Sequence, residues 1–258
     1  MKLLLIRHAE PDYSIDSLTA KGRVEAELLA HRLAQLSPVK SVYTSPLGRA
    51  RDTAAPYEAL TGHSAQVRDW LREFRASSFD PDKMRRTVTW DFRPRTWKPQ
   101  SQLYDRDQWV TAPLLTDSRS AEIWQETKDG TDSLLAENGF VRNGPVYACK
   151  NNTEGYILVF CHFGIATAML AYLAEISPVL LWQGFCMQPS SVTTLVTEER
   201  VKGEVVWRCM SYGDQSHLWA AGERYSTAGL YPEVYDGRDT TSPKEWENQT
   251  LEGKSIKE

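Results

Sequence analysis

Cysteine is scarce in this chain, and its spacing excludes two classes of site. The four cysteines are Cys149, Cys161, Cys186 and Cys209, and they are widely scattered. No two of them form the close pair that marks a zinc site or a redox motif. We therefore expect reduced thiols and a cytoplasmic protein.

A strong excess of charge is also missing. The 258 residues carry a formal net charge of −4, and the isoelectric point is about 5.8. We therefore expect no general electrostatic attraction to nucleic acid or to an anionic membrane, so a local cluster of cations must bind any anion. We also expect no export signal, because only four apolar residues separate Lys2 from Arg7.

Long apolar runs are limited to one stretch that has the length of a membrane helix. Residues 155–174 contain no acidic or basic side chain other than His162. Aromatic and branched residues up to Phe160, followed by His162 and Gly164, instead predict a short strand and then a helix. We therefore expect the buried centre of a sheet here and no membrane span.

The first strand sets the predicted fold. Residues 3–6 form an unbroken apolar run, which is typical of a strand buried on both faces of a parallel sheet. Strand and helix patterns then alternate, and 41% hydrophobic residues in 258 fit one sizeable domain. We predict an α/β fold in which helices flank both faces of a mostly parallel central sheet. Strands near 191–196 and 204–210 are expected to form one antiparallel edge.

Two regions depart from this alternation. From about 76 to 119 the chain is rich in Arg, Asp, Pro and Trp without clear periodicity, and such long loops are usually functional. We assign about 76–135 as an inserted lid within a domain of residues 1–218. This lid includes most of a helix that we predict over 118–138. Residues 219–258 are polar, and we expect a tail that wraps the domain or stays mobile.

Two early helices give testable local predictions. Thr19 is a suitable N-cap for the first helix, and Glu25 is placed among its outward residues. The predicted inward residues are Val24, Leu28, Leu29, Leu33 and Leu36. Ser45 and Pro46 predict the start of the next helix, with serine as N-cap and proline as the first helical residue.

Arginine and histidine side chains follow three predicted strands. Arg7 and His8 end the first strand, and His162 follows a later one. Arg49 and Arg51 lie on the helix after the second strand, and at most one can enter a shared site because residues two apart face different directions. Ligands of open α/β sheets lie beyond the carboxyl ends of strands. A pocket of guanidinium and imidazole groups there would suit a phosphoryl group.

These residues stand in motifs that resemble the histidine phosphatase superfamily, also called phosphoglycerate mutase-like. The motifs are LIRHAE at 5–10, LTAKG at 18–22, TSPLGRARDTA at 44–54, Glu73, VFCHFG at 159–164, SSV at 190–192 and HL at 217–218. They occur in the right order and cover the chain from residue 2 to about 218. The resemblance implies a phosphatase that needs no metal and no cofactor and acts on a small phosphorylated substrate.

The resemblance also implies a role for each residue of the pocket. His8 would attack phosphorus and become a phosphohistidine, while Arg7, Arg49 and His162 would hold the transferring oxygens. Glu73 would protonate the leaving alcohol and then activate the water that hydrolyses the intermediate. The resemblance thus selects Arg49 over Arg51.

Other acids and two departures from the family pattern bear on this assignment. Glu10, Asp69 and Asp80 are close enough in sequence to compete for the role of the acid. Ala9 replaces a usual glycine, and alanine keeps the turn if its φ is negative. Phe163 replaces another glycine, and we expect its ring to line or narrow the pocket.

Three functions stay open at this point. A phosphatase is favoured, because the loop between His8 and Thr19 is short and lacks the Trp-Asn segment typical of glycolytic mutases. A phosphoglycerate-type mutase is the first alternative. The second is a non-catalytic relative that binds a phosphorylated ligand through the same pocket, with the tryptophan-rich insertion as its contact surface. The oligomeric state is left open.

Overall fold

A computed structural model gives the fold of residues 1–231, and the part of the predicted tail beyond residue 231 lies outside the described residues. The strands are β1 Lys2–Arg7, β2 Pro11–Asp12, β3 Ser17–Leu18, β4 Val39–Thr44, β5 Gln66–Val67, β6 Ser77–Asp80, β7 Arg85–Val88, β8 Val141–Asn143, β9 Val146–Ala148, β10 Tyr156–Cys161, β11 Val192–Val201 and β12 Glu204–Asp214. The α-helices are α1 Ala20–Leu33, α2 Gly48–Thr61, α3 Pro94–Trp97, α4 Ser120–Glu137, α5 Phe163–Ala174, α6 Pro178–Gly184 and α7 Ser216–Ala220.

The central sheet joins eight of these strands in the order β5-β4-β10-β1-β11-β12-β9-β8. The pairs β5–β4, β4–β10 and β10–β1 are parallel, with Leu3 opposite Ile157 in the last pair. From β11 outwards the neighbours are antiparallel. The α/β fold and its antiparallel edge are therefore confirmed, and the β8–β9 hairpin extends that edge beyond the two predicted strands.

The first strand is buried on both faces, as its unbroken apolar run predicts. Leu4 and Ile6 pack with α1 and α2, whereas Leu3 and Leu5 pack with α4, α5 and α6 on the opposite face. Successive residues of a strand point to opposite faces, so a strand between two helical layers is apolar at every position. Helices therefore flank both faces of the sheet.

The insertion is folded and contributes to the larger core. It contains the β6–β7 hairpin, α3 and three short 3₁₀ helices, Ser101–Tyr104, Trp109–Thr111 and Pro113–Leu115. Trp97, Leu103 and Trp109 are buried in the same cluster as Leu3 of β1. The short turns explain why the sequence showed no periodicity. A role for this region as a lid stays a prediction.

Two local predictions about the first helix have different outcomes. Thr19 is the N-cap of α1, and its hydroxyl accepts a hydrogen bond from the Gly22 N–H over 3.0 Å, as predicted. The predicted inward residue Val24 is exposed, whereas Glu25 is fully buried. Glu25 turns inward because one of its oxygens accepts the backbone N–H of Glu10 over 2.9 Å.

The predicted start of the second helix is wrong by two residues. α2 begins at Gly48 with Leu47 as its N-cap, and Ser45 makes no cap for it. The Ser45 hydroxyl accepts the N–H of Leu47 over 3.2 Å, one residue before the helix, and forms a 2.7 Å hydrogen bond with Nε2 of His162. The N–H of Gly48 is satisfied by the Asp16 carboxylate at 2.8 Å, so a loop residue replaces the serine at the helix start.

The apolar stretch at 155–174 forms β10 and α5, as predicted. Nowhere in residues 1–231 does a helix have both the length and the apolar character that crossing a membrane requires.

Candidate active site

The topology brings the predicted site residues together. β4, β10 and β1 are parallel neighbours, so their carboxyl ends meet at one edge of the sheet. His8 follows β1, His162 follows β10, and Arg49 lies in the first turn of the helix after β4. The two imidazole rings are 5.1 Å apart between centroids, and Arg7, His8, Arg49 and His162 are all buried.

The hydrogen bond of His8 selects one tautomer of its ring. Nδ1 lies 2.8 Å from the carbonyl oxygen of Ala9, which can only accept, so Nδ1 carries the proton and Nε2 keeps a free electron pair. Burial lowers the pKa of His8 well below 6.5, and the charges of Arg7 and Arg49 lower it further. The ring is therefore neutral at physiological pH.

The turn after His8 accommodates alanine where the family pattern has glycine. Ala9 is fully buried and has no positive φ, which meets the condition predicted for alanine there. Its N–H donates to the Thr53 hydroxyl over 2.9 Å, and that hydroxyl donates to the carbonyl of Arg49 over 2.7 Å. Thr53 thus joins the turn after β1 to the first turn of α2.

The guanidinium groups of Arg7 and Arg49 each donate a hydrogen bond to another part of the chain. Nη1 of Arg49 donates to the Asp16 carboxylate over 2.5 Å, and Nη1 of Arg7 donates to the carbonyl of Met187. The Nε atoms of Arg7 and Arg49 are buried with no hydrogen-bond partner among the described residues. Buried polar atoms are rarely left unpaired, so two unpaired guanidinium N–H donors close to His8 favour a site for an anion. Arg51 is exposed, as the helix geometry predicted for one arginine of the pair.

His162 completes the cluster. Its Nε2 shares the hydrogen bond with Ser45, and its Nδ1 is buried without a partner within residues 1–231. Burial lowers the pKa of His162 well below 6.5, and the positive charges of Arg49, Arg7 and Arg75 act in the same direction. His162 is therefore a neutral group whose second ring nitrogen can bond to a ligand.

The carboxylate of Glu73 contacts the start of α5, the helix that directly follows His162. One oxygen accepts the N–H of Phe74 at 2.8 Å and the N–H of Ile165 at 3.2 Å. Gly164 leaves the space for it, because a Cβ built there would lie 2.7 Å from that same oxygen. Glu73 is only half-buried, so part of it stays accessible.

The three competing acids have other partners. Glu10 accepts the hydroxyl of Thr19 over 2.8 Å. Asp69 is exposed and lies 3.6 Å from Arg72, and Asp80 is buried 3.6 Å from Lys83. Their engagement elsewhere favours Glu73 as the acid of the site.

Several residues at the site carried no clear sequence signal. Asp16 and Tyr13 lie on the short polar loop after β2, and the guanidinium carbon of Arg49 is 5.4 Å from the centroid of the Tyr13 ring. Ser45 was assigned to a helix cap. Phe163 lies 5.9 Å from the guanidinium carbon of Arg7, which places its ring beside the pocket as expected. Within the part of the chain that the structure describes, no group of three His, Cys, Asp or Glu could hold a metal ion.

The parallel strands of this α/β fold end beside two buried arginines and two buried histidines, a set of side chains that suits an anion. The model of the histidine phosphatase superfamily (branch 1) matches residues 3–139, which is more than half of the 258 residues. The chain belongs to this superfamily.

Individual relatives are more distant. A probable phosphatase of Schizosaccharomyces pombe is 29% identical over 101 residues, which cover 36% of this chain and 35% of that protein. The chain thus spans about a third of the length of this curated relative. A mycobacterial glucosyl-3-phosphoglycerate phosphatase has a TM-score of 0.56 at 20% identity, covering 83% of this chain and 99% of its own. A phosphoserine phosphatase of Entamoeba histolytica has a TM-score of 0.56 at 19% identity, with coverages of 84% and 98%. At these identities the structural likeness shows the fold alone.

Proposed function

We propose that this protein is a metal-independent phosphatase that hydrolyses a small phosphomonoester through a phosphohistidine intermediate on His8. The observation that carries the proposal is the set of unpaired, buried donors around that ring. The Nε atoms of Arg7 and Arg49 lack partners among the described residues, and so does Nδ1 of His162. An arriving phosphoryl group would supply the acceptors that these atoms lack.

The first half of the reaction transfers the phosphoryl group to the protein. Nε2 of His8 attacks phosphorus with its electron pair while the bond from phosphorus to the leaving oxygen breaks. Glu73, in its protonated form, gives its proton to that oxygen, so the product leaves as a neutral alcohol. Arg7, Arg49 and His162 hold the three non-bridging oxygens, where charge must be stabilised.

The second half returns the protein to its starting state. Glu73 is now a carboxylate and takes a proton from a water molecule, whose oxygen attacks phosphorus. The bond from phosphorus to Nε2 of His8 breaks, and inorganic phosphate forms. The bond from Nδ1 to the Ala9 carbonyl keeps the ring in the same tautomer throughout, because that proton is never transferred.

Hydrolysis is proposed rather than a mutase reaction because of the short loop and the character of the relatives. Only Glu10 to Leu18 separate the turn after β1 from the N-cap of α1, and this loop already supplies Asp16 to Arg49. The named relatives are called phosphatases. The proposed location is the cytoplasm, which is supported by four cysteines that are all unpaired.

The test is hydrolysis of p-nitrophenyl phosphate in excess EDTA by the wild type, His8→Ala and His31→Ala. His31 is an exposed histidine on α1 and serves as the matched control. We expect the His8 variant to lose activity by about a thousandfold or more, because it lacks the nucleophile, and the His31 variant to retain it. Equal activity of His8→Ala and wild type would refute the proposal.

A second measurement separates the alternatives. Phosphohistidine is trapped in alkali after mixing with a radiolabelled aryl phosphate, and net release of inorganic phosphate is counted. Phosphoglycerate is incubated with the protein in a parallel reaction. Phosphatase action predicts one phosphate released per alcohol formed. Isomerisation of phosphoglycerate without net release would indicate a mutase, and tight phosphate binding without any turnover would indicate a non-catalytic relative.

A further inference from the structure

The segment after α7 returns to the site. We call residues 223–231 the strap. Gly229 has a φ of +88° and packs against the guanidinium of Arg7. A Cβ built on Gly229 would lie 3.1 Å from Nη2 and 3.7 Å from Nη1 of Arg7. The strap therefore borders the arginine that is proposed to bind the phosphoryl group, although it lies outside the matched family segment.

The strap contacts the rest of the fold at both ends. Near its start, Glu223 lies 3.7 Å from Lys21 of α1. Ser226 is buried, and its hydroxyl accepts the N–H of Ala228 over 3.1 Å. At its end, Tyr231 forms a side-chain hydrogen bond with Asp91, a residue of the insertion.

These contacts make the strap a bridge between α1 and the insertion. Asp91 is joined in turn to the β6–β7 hairpin, because its carbonyl accepts the ammonium group of Lys83. One anchor of the strap is thus on α1, beside the turn after His8, and the other is on the insertion. Arg7 lies between them, with its Nη1 bonded to Met187 and its Nη2 against Gly229.

We propose that the strap forms a wall of the phosphate pocket and limits the width of the group that the phosphate carries, with Gly229 and Tyr231 as specificity-determining residues. This inference rests on the proposed function. Gly229 has no side chain, which allows the strap backbone to approach Nη2 of Arg7 closely. Tyr231 holds that backbone against the insertion, so a broad substituent meets the strap before its phosphate reaches Arg7.

Binding experiments without turnover test the strap separately from catalysis. Dissociation constants of inorganic phosphate, phenylphosphonate and naphthylphosphonate are measured by calorimetry for the full-length wild type, Gly229→Ala, Tyr231→Phe and Tyr225→Phe. Tyr225 is an exposed tyrosine of the same strap and gives the matched control. Melting curves establish that each variant is folded. A failure of the His8→Ala test would refute hydrolysis but leave these binding constants meaningful.

Each variant has its own expected result. In Gly229→Ala the methyl group crowds Nη2, and we expect the dissociation constant of phosphate to rise roughly tenfold through loss of a charged hydrogen bond. In Tyr231→Phe we expect the preference for phenylphosphonate over naphthylphosphonate to fall by about fivefold or more, with phosphate affinity within about twofold of wild type. Tyr225→Phe is expected to match the wild type.

Two results would overturn the inference. Unchanged phosphate affinity in Gly229→Ala would show that the strap does not border the anion site. A preference in Tyr231→Phe equal to that of Tyr225→Phe would show that the strap does not limit ligand width.

Discussion

Burial shifts the pKa of two ionisable residues near the end of β1 in the direction that favours the neutral form. His8 is neutral because burial and two guanidinium charges lower its pKa. Glu25 is shifted the other way, since burial raises the pKa of its carboxyl to about 7. The shift of His8 serves the proposed nucleophile, because a protonated imidazole has no electron pair on Nε2. The carboxyl of Glu25 supports the same turn by accepting the N–H of Glu10.

The raised pKa of Glu25 predicts a pH-dependent contribution to stability. Because the pKa in the fold, about 7, exceeds the ordinary value of 4.5, the folded state binds more protons between these values. Stability from this group therefore falls as pH rises from 4.5 to 7, and the full penalty is present above pH 7. Glu25→Gln keeps an acceptor for Glu10. We expect its unfolding free energy, relative to wild type, to increase by about 1–3 kcal/mol between pH 5 and pH 7.5.

Urea unfolding at a series of pH values measures this difference. Glu27→Gln changes an exposed glutamate of the same helix and is the control, for which we expect a difference that hardly varies with pH. A Glu25→Gln difference that is the same at every pH would contradict the prediction.

Some of the site could be predicted from single residues, and some could not. The ends of apolar strands located Arg7, His8 and His162, and helical spacing predicted that at most one of Arg49 and Arg51 enters the site. Local pattern could not locate Glu25 or Ser45, because their partners, Glu10 and His162, lie 15 and 117 residues away in the chain. Long-range hydrogen bonds of this kind override the local preferences of a glutamate on a helix or a serine before a proline.

At the scale of elements, strands buried on both faces were the most predictable. β10 lies in the stretch that predicted a strand, since a continuous apolar run leaves little choice. The β8–β9 hairpin was missed because each strand has three residues and only Tyr147 is buried. Such short strands form only because β12 is there to pair with β9.

The junction of α5 with the insertion gives the prediction at this scale. A Cβ on Gly164 would lie 2.5 Å from the Trp90 ring and 2.7 Å from the Glu73 carboxylate. We expect Gly164→Ala to displace Glu73 and to lower kcat by about tenfold to a hundredfold. The loss should be larger for phenyl phosphate than for p-nitrophenyl phosphate, because the poorer leaving group depends more on protonation.

Steady-state kinetics with both substrates tests this point. Gly184→Ala is the matched control, because a Cβ at Gly184 at the end of α6 would meet nothing within 4 Å. Equal losses for the two leaving groups would show that Gly164 acts on something other than the acid.

At the scale of the whole molecule, the insertion is part of the domain core. Phe74, Trp109 and Trp182 form successive ring contacts, with centroids 6.3 Å apart for the first pair and 5.5 Å for the second. Trp182 also donates its indole N–H to the carbonyl of Gly164 over 3.0 Å. The insertion is therefore connected through α6 to the start of α5, where Glu73 lies. A segment that can move as a lid must break such contacts to do so.

This packing predicts one cooperative unfolding unit that includes the insertion. Trp109 is fully buried, whereas Trp219 on α7 is 88% exposed, so the pair offers the same substitution in opposite environments. We expect Trp109→Ala to lower the unfolding free energy by about 3–5 kcal/mol through loss of buried contacts and the cavity left behind. Trp219→Ala should change it by less than about 0.5 kcal/mol. Guanidinium unfolding followed by circular dichroism and by amide exchange in residues 101–115 measures both. Separate transitions for the insertion and the sheet would contradict a shared core and would favour a lid that opens independently.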